Sequence, residues 1–267
     1  MRVLIAGAAG RIGRVLTVGL AERGHQVVGV DLVQRPHGNQ HPWHVADCAD
    51  PNAMHDVFDS ERPDGVVHLA GRPGEASLPD SLTSHALTTA ALLEAAVTHD
   101  VPRLVYASSN HAVGFAPRMD HLPVETRHRP DTFYGVGKVT GEALLSLYAD
   151  RHGLAAIACR IGSFRPKPST TRDLSTWLSP GDCIRMFDAC LTASTAGFSV
   201  LYGTSANSRA WWDLEPGRTL GYQPLDDAEE FADQVRARAE DDIESAHVGG
   251  PFTTDAYDRP AWVSKRD

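Results

Sequence analysis

Apolar positions along the first 160 residues follow two alternating rhythms. Short aliphatic and β-branched runs, Arg2 to Ala6, Gln26 to Asp31, Trp43 to Val45, Gly65 to Ala70, Arg103 to Ala107 and Ala155 to Cys159, read as buried strands. Between them lie segments with helical spacing. Arg11 to Arg23 carries Ile12, Val15, Leu16 and Leu20 on one side, with Gly24 as its expected cap. Asn52 to Ser60, the Ala- and Leu-rich Ser81 to His99, and Thr132 to Arg151 read as further helices. Strand and helix in turn predict right-handed crossovers and an α/β fold, a doubly wound parallel sheet with helices on both faces. After Gly162 the rhythm changes. Phe164 to Arg172 is basic and proline-containing, hence a loop; Ser179 to Leu191 predicts a helix, Ser199 to Tyr202 a strand and Asp226 to Asp242 a polar helix. From Ser245 onward, through Gly249-Gly250-Pro251, periodicity fades, which predicts a surface-hugging or partly disordered tail. The expected organisation is a cofactor-binding core over 1–160, a small C-terminal substrate-binding part over 161–244 folded onto the same domain, and a tail over 245–267.

Composition narrows the function. The 267 residues suffice for one large α/β domain or two small ones, and their 42% hydrophobic and 22% charged content is ordinary for a soluble globular protein. A formal net charge of −9 argues against nucleic acid as a partner, because phosphate binding wants a basic surface. Cys48, Cys159, Cys183 and Cys190 lack paired spacing, and the thirteen histidines form no metal-binding motif. No metal is expected, and reduced thiols in a cytoplasmic protein are. No apolar run reaches membrane-spanning length, and Val3-Leu4-Ile5-Ala6 runs straight into glycines rather than into a signal-peptide core.

Candidate chemistry sits at strand ends. Gly7-Ala8-Ala9-Gly10-Arg11-Ile12-Gly13 joins the first strand to the first helix, where glycines permit a tight turn and helix amides face a diphosphate. Asp31 closes the second strand, placed to accept from adenosine ribose hydroxyls and to repel a 2′-phosphate, which favours NAD over NADP. Asp47 is a candidate for the adenine amino group, or a turn former. Leu69, Ala70 and Gly71 end the fourth strand with room for a cofactor against the backbone. Ser108 and Ser109 end the fifth. Tyr134 and Lys138, four apart on a predicted helix, share one face. An ammonium beside the phenol is expected to lower its pKa and make it a base.

Together, GAAGRIG, Asp31, His68 to Gly71, Ser109 and Tyr134-x-x-x-Lys138 resemble the short-chain dehydrogenase/reductase superfamily, in its extended, epimerase-like branch. The resemblance implies a Rossmann-like fold, NAD as cofactor, Ser109 as substrate-orienting hydroxyl, Tyr134 as acid/base and Lys138 on the nicotinamide ribose, with Ile161 beside the cofactor. Further along, Ser108-Ser109-Asn110-His111 with Gly114, Arg129-Pro130-Asp131, Arg160-Ile161-Gly162-Ser163, Pro166-Lys167-Pro168, Arg172, Thr176 to Ser179, Tyr202-Gly203, Ser205-Ala206-Asn207 and Trp211-Trp212-Asp213 resemble uronate dehydrogenases. This implies NAD-dependent oxidation of the anomeric hydroxyl of glucuronate or galacturonate to an aldarolactone. It also implies that Asn110, His111, Ser163 and Arg172 line the sugar-acid site and that the chain forms a homo-oligomer, through Ser81 to His99 and Thr132 to Arg151. An arginine suits a carboxylate through paired hydrogen bonds.

Two positions depart from that family's usual pattern. Pro73 stands about where a serine is usual, with Ser77 or Arg72 as candidate replacements, and His85 stands where asparagine is usual. Alternative readings are a nucleotide-sugar epimerase or dehydratase of the same branch, and a non-catalytic dinucleotide sensor.

Overall fold

The computed structural model describes residues 1–262; the tail positions 263–267 lie outside the described residues. Seven strands form one parallel sheet in the order β3-β2-β1-β4-β5-β6-β9. They are β1 (Arg2–Ala6), β2 (Gln26–Asp31), β3 (Trp43–Val45), β4 (Gly65–His68), β5 (Arg103–Ser109), β6 (Ala155–Ile161) and β9 (Phe198–Gly203). Helices α2 (Pro51–Glu61), α4 (Thr88–Thr98) and α5 (Phe133–His152) cover one face; α1 (Arg11–Glu22) and α7 (Pro180–Thr192) cover the other. The doubly wound, Rossmann-like architecture expected from the sequence is thus present. The chain reverses its winding at β1, so β1 and β4 leave a crevice at their carboxyl ends, where ligands bind in such sheets.

Side-chain alternation builds the two cores. Leu4, Val28, Val66, Leu104 and Tyr106 pack beneath α2, α4 and α5, whereas Val3, Ile5, Val27, Val67 and Val105 pack beneath α1 and α7. Each fully buried Leu or Phe contributes about 1.5–3 kcal/mol of transfer free energy. Helix ends follow local chemistry. Asp50 accepts from the Asn52 amide at 2.9 Å ahead of Pro51, and Thr132 accepts from the Gly135 amide at 3.0 Å to start α5. Gly153, at φ +71°, ends α5.

Two elements differ from expectation. The predicted helix from Ser81 to His99 begins earlier, as α3 (Leu78–Leu82), and opens into a π turn over Thr83–Leu87 before α4. The wider turn carries His85 toward the site, a common use of such irregularities. The predicted polar helix Asp226 to Asp242 is a 3-10 turn over Ala228–Gln234, then open chain, then the short α9 (Asp241–Glu244). Its apolar contacts, Ala228, Phe231, Ala232 and Val235 on Leu174 and Trp177, end at Val235, so no buried surface rewards further helix. The tail is docked rather than loose as far as it is described. Val248 is fully buried, its amide donates to Ala116 O at 3.0 Å, and Ala261 O accepts from the Leu78 amide at 2.9 Å.

The later segments return to the sheet's carboxyl edge. Strands β7 (Ser163–Phe164) and β8 (Trp177–Leu178) pair, with α6 (Asp173–Thr176) between them. A small aromatic core of Val113, Leu122, Tyr202, Trp211, Trp212 and Val248 ties the α8 region (α8, Glu215–Thr219) and the tail to β9.

Candidate active site

The cofactor side is built from backbone. Gly7 holds φ +83°, and a Cβ there would lie 2.7 Å from the Ala70 amide nitrogen, so only glycine lets β1 and β4 close this tightly. A Cβ on Gly13 would press on Gly7 O and on the backbone of Ala8. Helix α1 begins at Gly10 without a side-chain cap or an acidic residue in its first turn, leaving amides and the positive dipole end open to an anion. Asp31 stabilises the turn, accepting from the Ala9 amide at 2.8 Å and the Val33 amide at 3.3 Å, with lone pairs to spare. Asp47 forms a turn, accepting from the Ala49 amide at 2.9 Å. Leu69, Ala70 and Gly71 line the crevice beside Gly7, Arg11 and Ile12 open α1, and Ile161 ends β6 opposite Ser109. This turn, free helix end and terminal carboxylate fit a dinucleotide.

Tyr134 and Lys138 lie on successive turns of α5, as their spacing requires. Lys138 Nζ is 5.4 Å from the Tyr134 ring centre and donates to Ala107 O at 2.8 Å. Ser109 starts a 3-10 turn, its Oγ accepting from the His111 amide at 3.2 Å. The expectation of a phenol with a lowered pKa is corrected. Desolvation pushes Tyr134 up to about 12, although a hydrogen bond with Ser109 and the charge of Arg11 pull down while Asp131 pushes up. Lys138 itself is pulled down to about 7 by burial, with Glu142 opposing. Burial acts against ionisation of Glu142, but hydrogen bonds from His128, Arg160 and Ser108 outweigh it and hold its carboxyl at about 2.

The substrate side gathers distant side chains. Arg172 turns inward: Nη1 donates to Ser163 Oγ at 3.2 Å and Nη2 to Val248 O at 2.8 Å. The Asn110 amide satisfies both ends when Oδ1 accepts from Arg172 Nη2 at 2.7 Å and Nδ2 donates to Ile161 O at 3.1 Å. Asp173 sets this orientation. Buried, it accepts from the Ser169 amide at 2.9 Å and the Thr170 amide at 3.1 Å, which fixes the loop before Arg172. His111 stands edge-on to Tyr134 with ring centres 5.9 Å apart. Ser109, Asn110, His111, Tyr134, Ser163 and Arg172 therefore converge from β5, α5, β7 and the following loop.

A scan of family models matches residues 3–178 to the NAD dependent epimerase/dehydratase family. The chain belongs to the NAD-dependent epimerase/dehydratase family. Within it, the chain is 35% identical over 256 residues to the uronate dehydrogenase of Pseudomonas syringae pv. tomato, covering 94% of this chain and 92% of that protein. It is 38% identical to the uronate dehydrogenase of Agrobacterium fabrum, covering 86% of each. The crystal structure of uronate dehydrogenase from Agrobacterium tumefaciens superposes with a TM-score of 0.89 at 35% identity over 98% of both chains. A mutant of that enzyme has been solved complexed with NAD.

Sequence reasoning missed several residues of this epimerase/dehydratase site. Glu75 reaches from the loop after β4 to the base helix, its two oxygens accepting from the Phe133 and Tyr134 amides, each at 3.0 Å. With Thr132 it satisfies the first three amides of α5. Its loop position offered no periodic signal. The two candidate replacements for the family serine are engaged locally. Ser77 caps α3, accepting from the Asp80 amide at 3.3 Å, and Arg72 is exposed beside Asp80 at 3.4 Å. His85 stands edge-on to Tyr134 at 5.2 Å, and burial, then the Lys138 charge, lower its pKa to about 3, so the ring is neutral.

Proposed function

We propose that this chain is a cytoplasmic, NAD-dependent dehydrogenase that oxidises the anomeric hydroxyl of a hexuronate, glucuronate or galacturonate, to the aldarolactone. The observation that carries the reading is Arg172. A half-buried guanidinium is held by Ser163, by the Val248 carbonyl and by Asn110, the chain neighbour of Ser109. A guanidinium suits a carboxylate through charge-assisted hydrogen bonds, and here Nη1 is engaged only by longer contacts, to Ser163 at 3.2 Å and Thr176 at 3.5 Å. The likeness along nearly the whole chain to uronate dehydrogenases supports the same substrate class, and it weakens the nucleotide-sugar epimerase and sensor readings.

Gly7, Gly10, Arg11, Ile12, Gly13, Asp31, Asp47, Leu69, Ala70, Gly71, Tyr134, Lys138 and Ile161 are the residues that would hold NAD, whose nicotinamide accepts hydride when bound. The remaining chemistry is the chain's own. Arg172 fixes the acid group, with Asn110, His111 and Ser163 around the ring. Ser109 Oγ holds the C1 hydroxyl, and Tyr134 Oη takes its proton as the C1 hydrogen leaves with its electron pair. General-base help of this kind supplies about 10²–10⁴-fold, and fixed orientation adds to it. The high pKa of the free phenol makes it a strong proton acceptor once ionised.

The test is NADH appearance, followed by absorbance, with glucuronate and with galacturonate. Turnover with at least one, abolished by Tyr134→Phe with NAD affinity kept, is the expected result. No turnover with either at millimolar concentration would overturn the substrate assignment. We also propose a homo-oligomer through the α4 and α5 side, where Leu87 and Leu147 are exposed; light scattering that returns a monomer mass contradicts it. Among the described residues, no helix is long and apolar enough to cross a membrane.

A further inference from the structure

The run Arg129-Pro130-Asp131 enters none of the roles above, yet Asp131 is the point on which three segments of the site close. Its side chain is wholly buried, at 0% exposure. Oδ2 accepts from His111 Nδ1 at 2.8 Å, and Oδ1 accepts from Thr132 Oγ1 at 3.1 Å. Among the described residues no lysine or arginine pairs with it. Two glycines far apart in the chain leave the space it fills, since a Cβ on either Gly114 or Gly249 would overlap Oδ2. The Gly249 amide donates to Gly114 O at 2.8 Å, so the tail closes over the same carboxylate. The turn after β5, the start of the base helix and the tail are all shaped around one acidic group.

That group constrains His111. An ionised carboxylate only accepts hydrogen bonds, so the ring nitrogen facing it must carry the proton. Nε2 then lies on the opposite edge of the ring, with no protein partner among the described residues. Phe252 packs against the ring at 4.4 Å and Tyr134 meets it edge-on at 5.9 Å. We propose that Asp131 is a positioning residue that locks His111 with Nδ1 protonated, so that Nε2 is presented to the substrate as an acceptor for a sugar hydroxyl next to the reacting carbon. The division of labour follows from the chemistry. Arg172 offers only donors and reads the acid group; in the neutral ring His111 Nε2 offers an acceptor and reads a hydroxyl. This inference rests on the sugar-acid reading above for its ligand, but not for the state of the ring.

The experiment is a long-range ¹H–¹⁵N spectrum of the histidine rings in the full-length protein at mildly alkaline pH, with the His111 signals assigned by their loss in His111→Gln. The expected result is a proton on Nδ1 in the wild type and its loss in Asp131→Ala. In turnover of glucuronate, Asp131→Ala lowers kcat/KM about ten- to a hundredfold, as expected for a misdirected hydrogen bond, with NAD affinity unchanged. Asp131→Asn, which keeps an acceptor oxygen, recovers part of the loss. A wild-type Nδ1 without a proton, a wild-type Nε2 that carries one, or an Asp131→Ala enzyme with wild-type kcat/KM, overturns the proposal. Should Asp131→Ala fail to fold, the wild-type spectrum alone still decides. Should the wild type oxidise no hexuronate, the substrate reading fails while the ring spectrum still tests the Asp131–His111 lock.

Discussion

The cofactor half and the substrate half of this site are made by opposite means. The proposed cofactor half centres on one contiguous stretch, from β1 through the glycine turn into α1, joined by Asp31, the backbone at Ala70 and the side chain of Lys138. It offers amides and missing side chains to a ligand. The substrate half takes side chains from widely separated places: Glu75, Ser109 to His111, Asp131, Tyr134, Ser163 and Arg172, with the Val248 carbonyl behind them. The first half is set by local backbone conformation and tolerates almost no change. The second is set by tertiary packing, so single changes retune it.

The sharpest way to break that contrast is Gly7→Ala. The added methyl meets the Ala70 amide at 2.7 Å in a positive-φ conformation. Strain of about 2–3 kcal/mol is expected, lowering Tm by roughly 5–10 °C, and NAD binding by calorimetry should be lost. Retained NAD affinity would show that the turn is not the cofactor cradle. Ser109→Ala acts next, on the substrate half alone. Its hydrogen bond pulls the Tyr134 pKa down against burial, so its loss moves that pKa up. The base must be deprotonated to act, so the midpoint of the rise of kcat/KM with pH moves up, with about a 10–100-fold loss at neutral pH. An unchanged or lowered midpoint contradicts the pairing. The smallest change is Glu75→Ala, which frees two amides at the start of α5. A cap of this kind is worth about 0.5–2 kcal/mol. Tm should fall by about 2–4 °C per kcal/mol, and kcat by a few-fold, while NAD affinity holds; a loss confined to NAD binding would put Glu75 in the wrong half.

The same contrast explains what the sequence revealed. The parallel sheet, the glycine turn, Asp31 and the Tyr134–Lys138 stripe were legible because each depends on spacing within one element. Alternation in β1 alone separates Leu4 from Val3 and Ile5. Asp131 and Glu75 were not legible as site residues, because each acts only once a loop meets α5 in three dimensions. The tail is similar. Its glycines read as absence of structure, yet Gly249 and Gly250 make room for the Asp131 carboxylate and the Arg172 guanidinium. The sign of the Tyr134 shift was misread for a different reason. A helix spacing reports that two groups are near, not how far both are removed from water, and here desolvation outweighs the charge.

The central claim is that Arg172 receives the acid group of the substrate. It is tested most directly by the ratio of kcat/KM for glucuronate to that for glucose, in the wild type and in Arg172→Met. A charge-assisted hydrogen bond of about 1.5–3 kcal/mol predicts a wild-type preference for the acid of roughly 10–150-fold. In the variant that preference should collapse toward unity through loss of the glucuronate rate, with NAD affinity unchanged. A variant that keeps the wild-type preference would contradict the account.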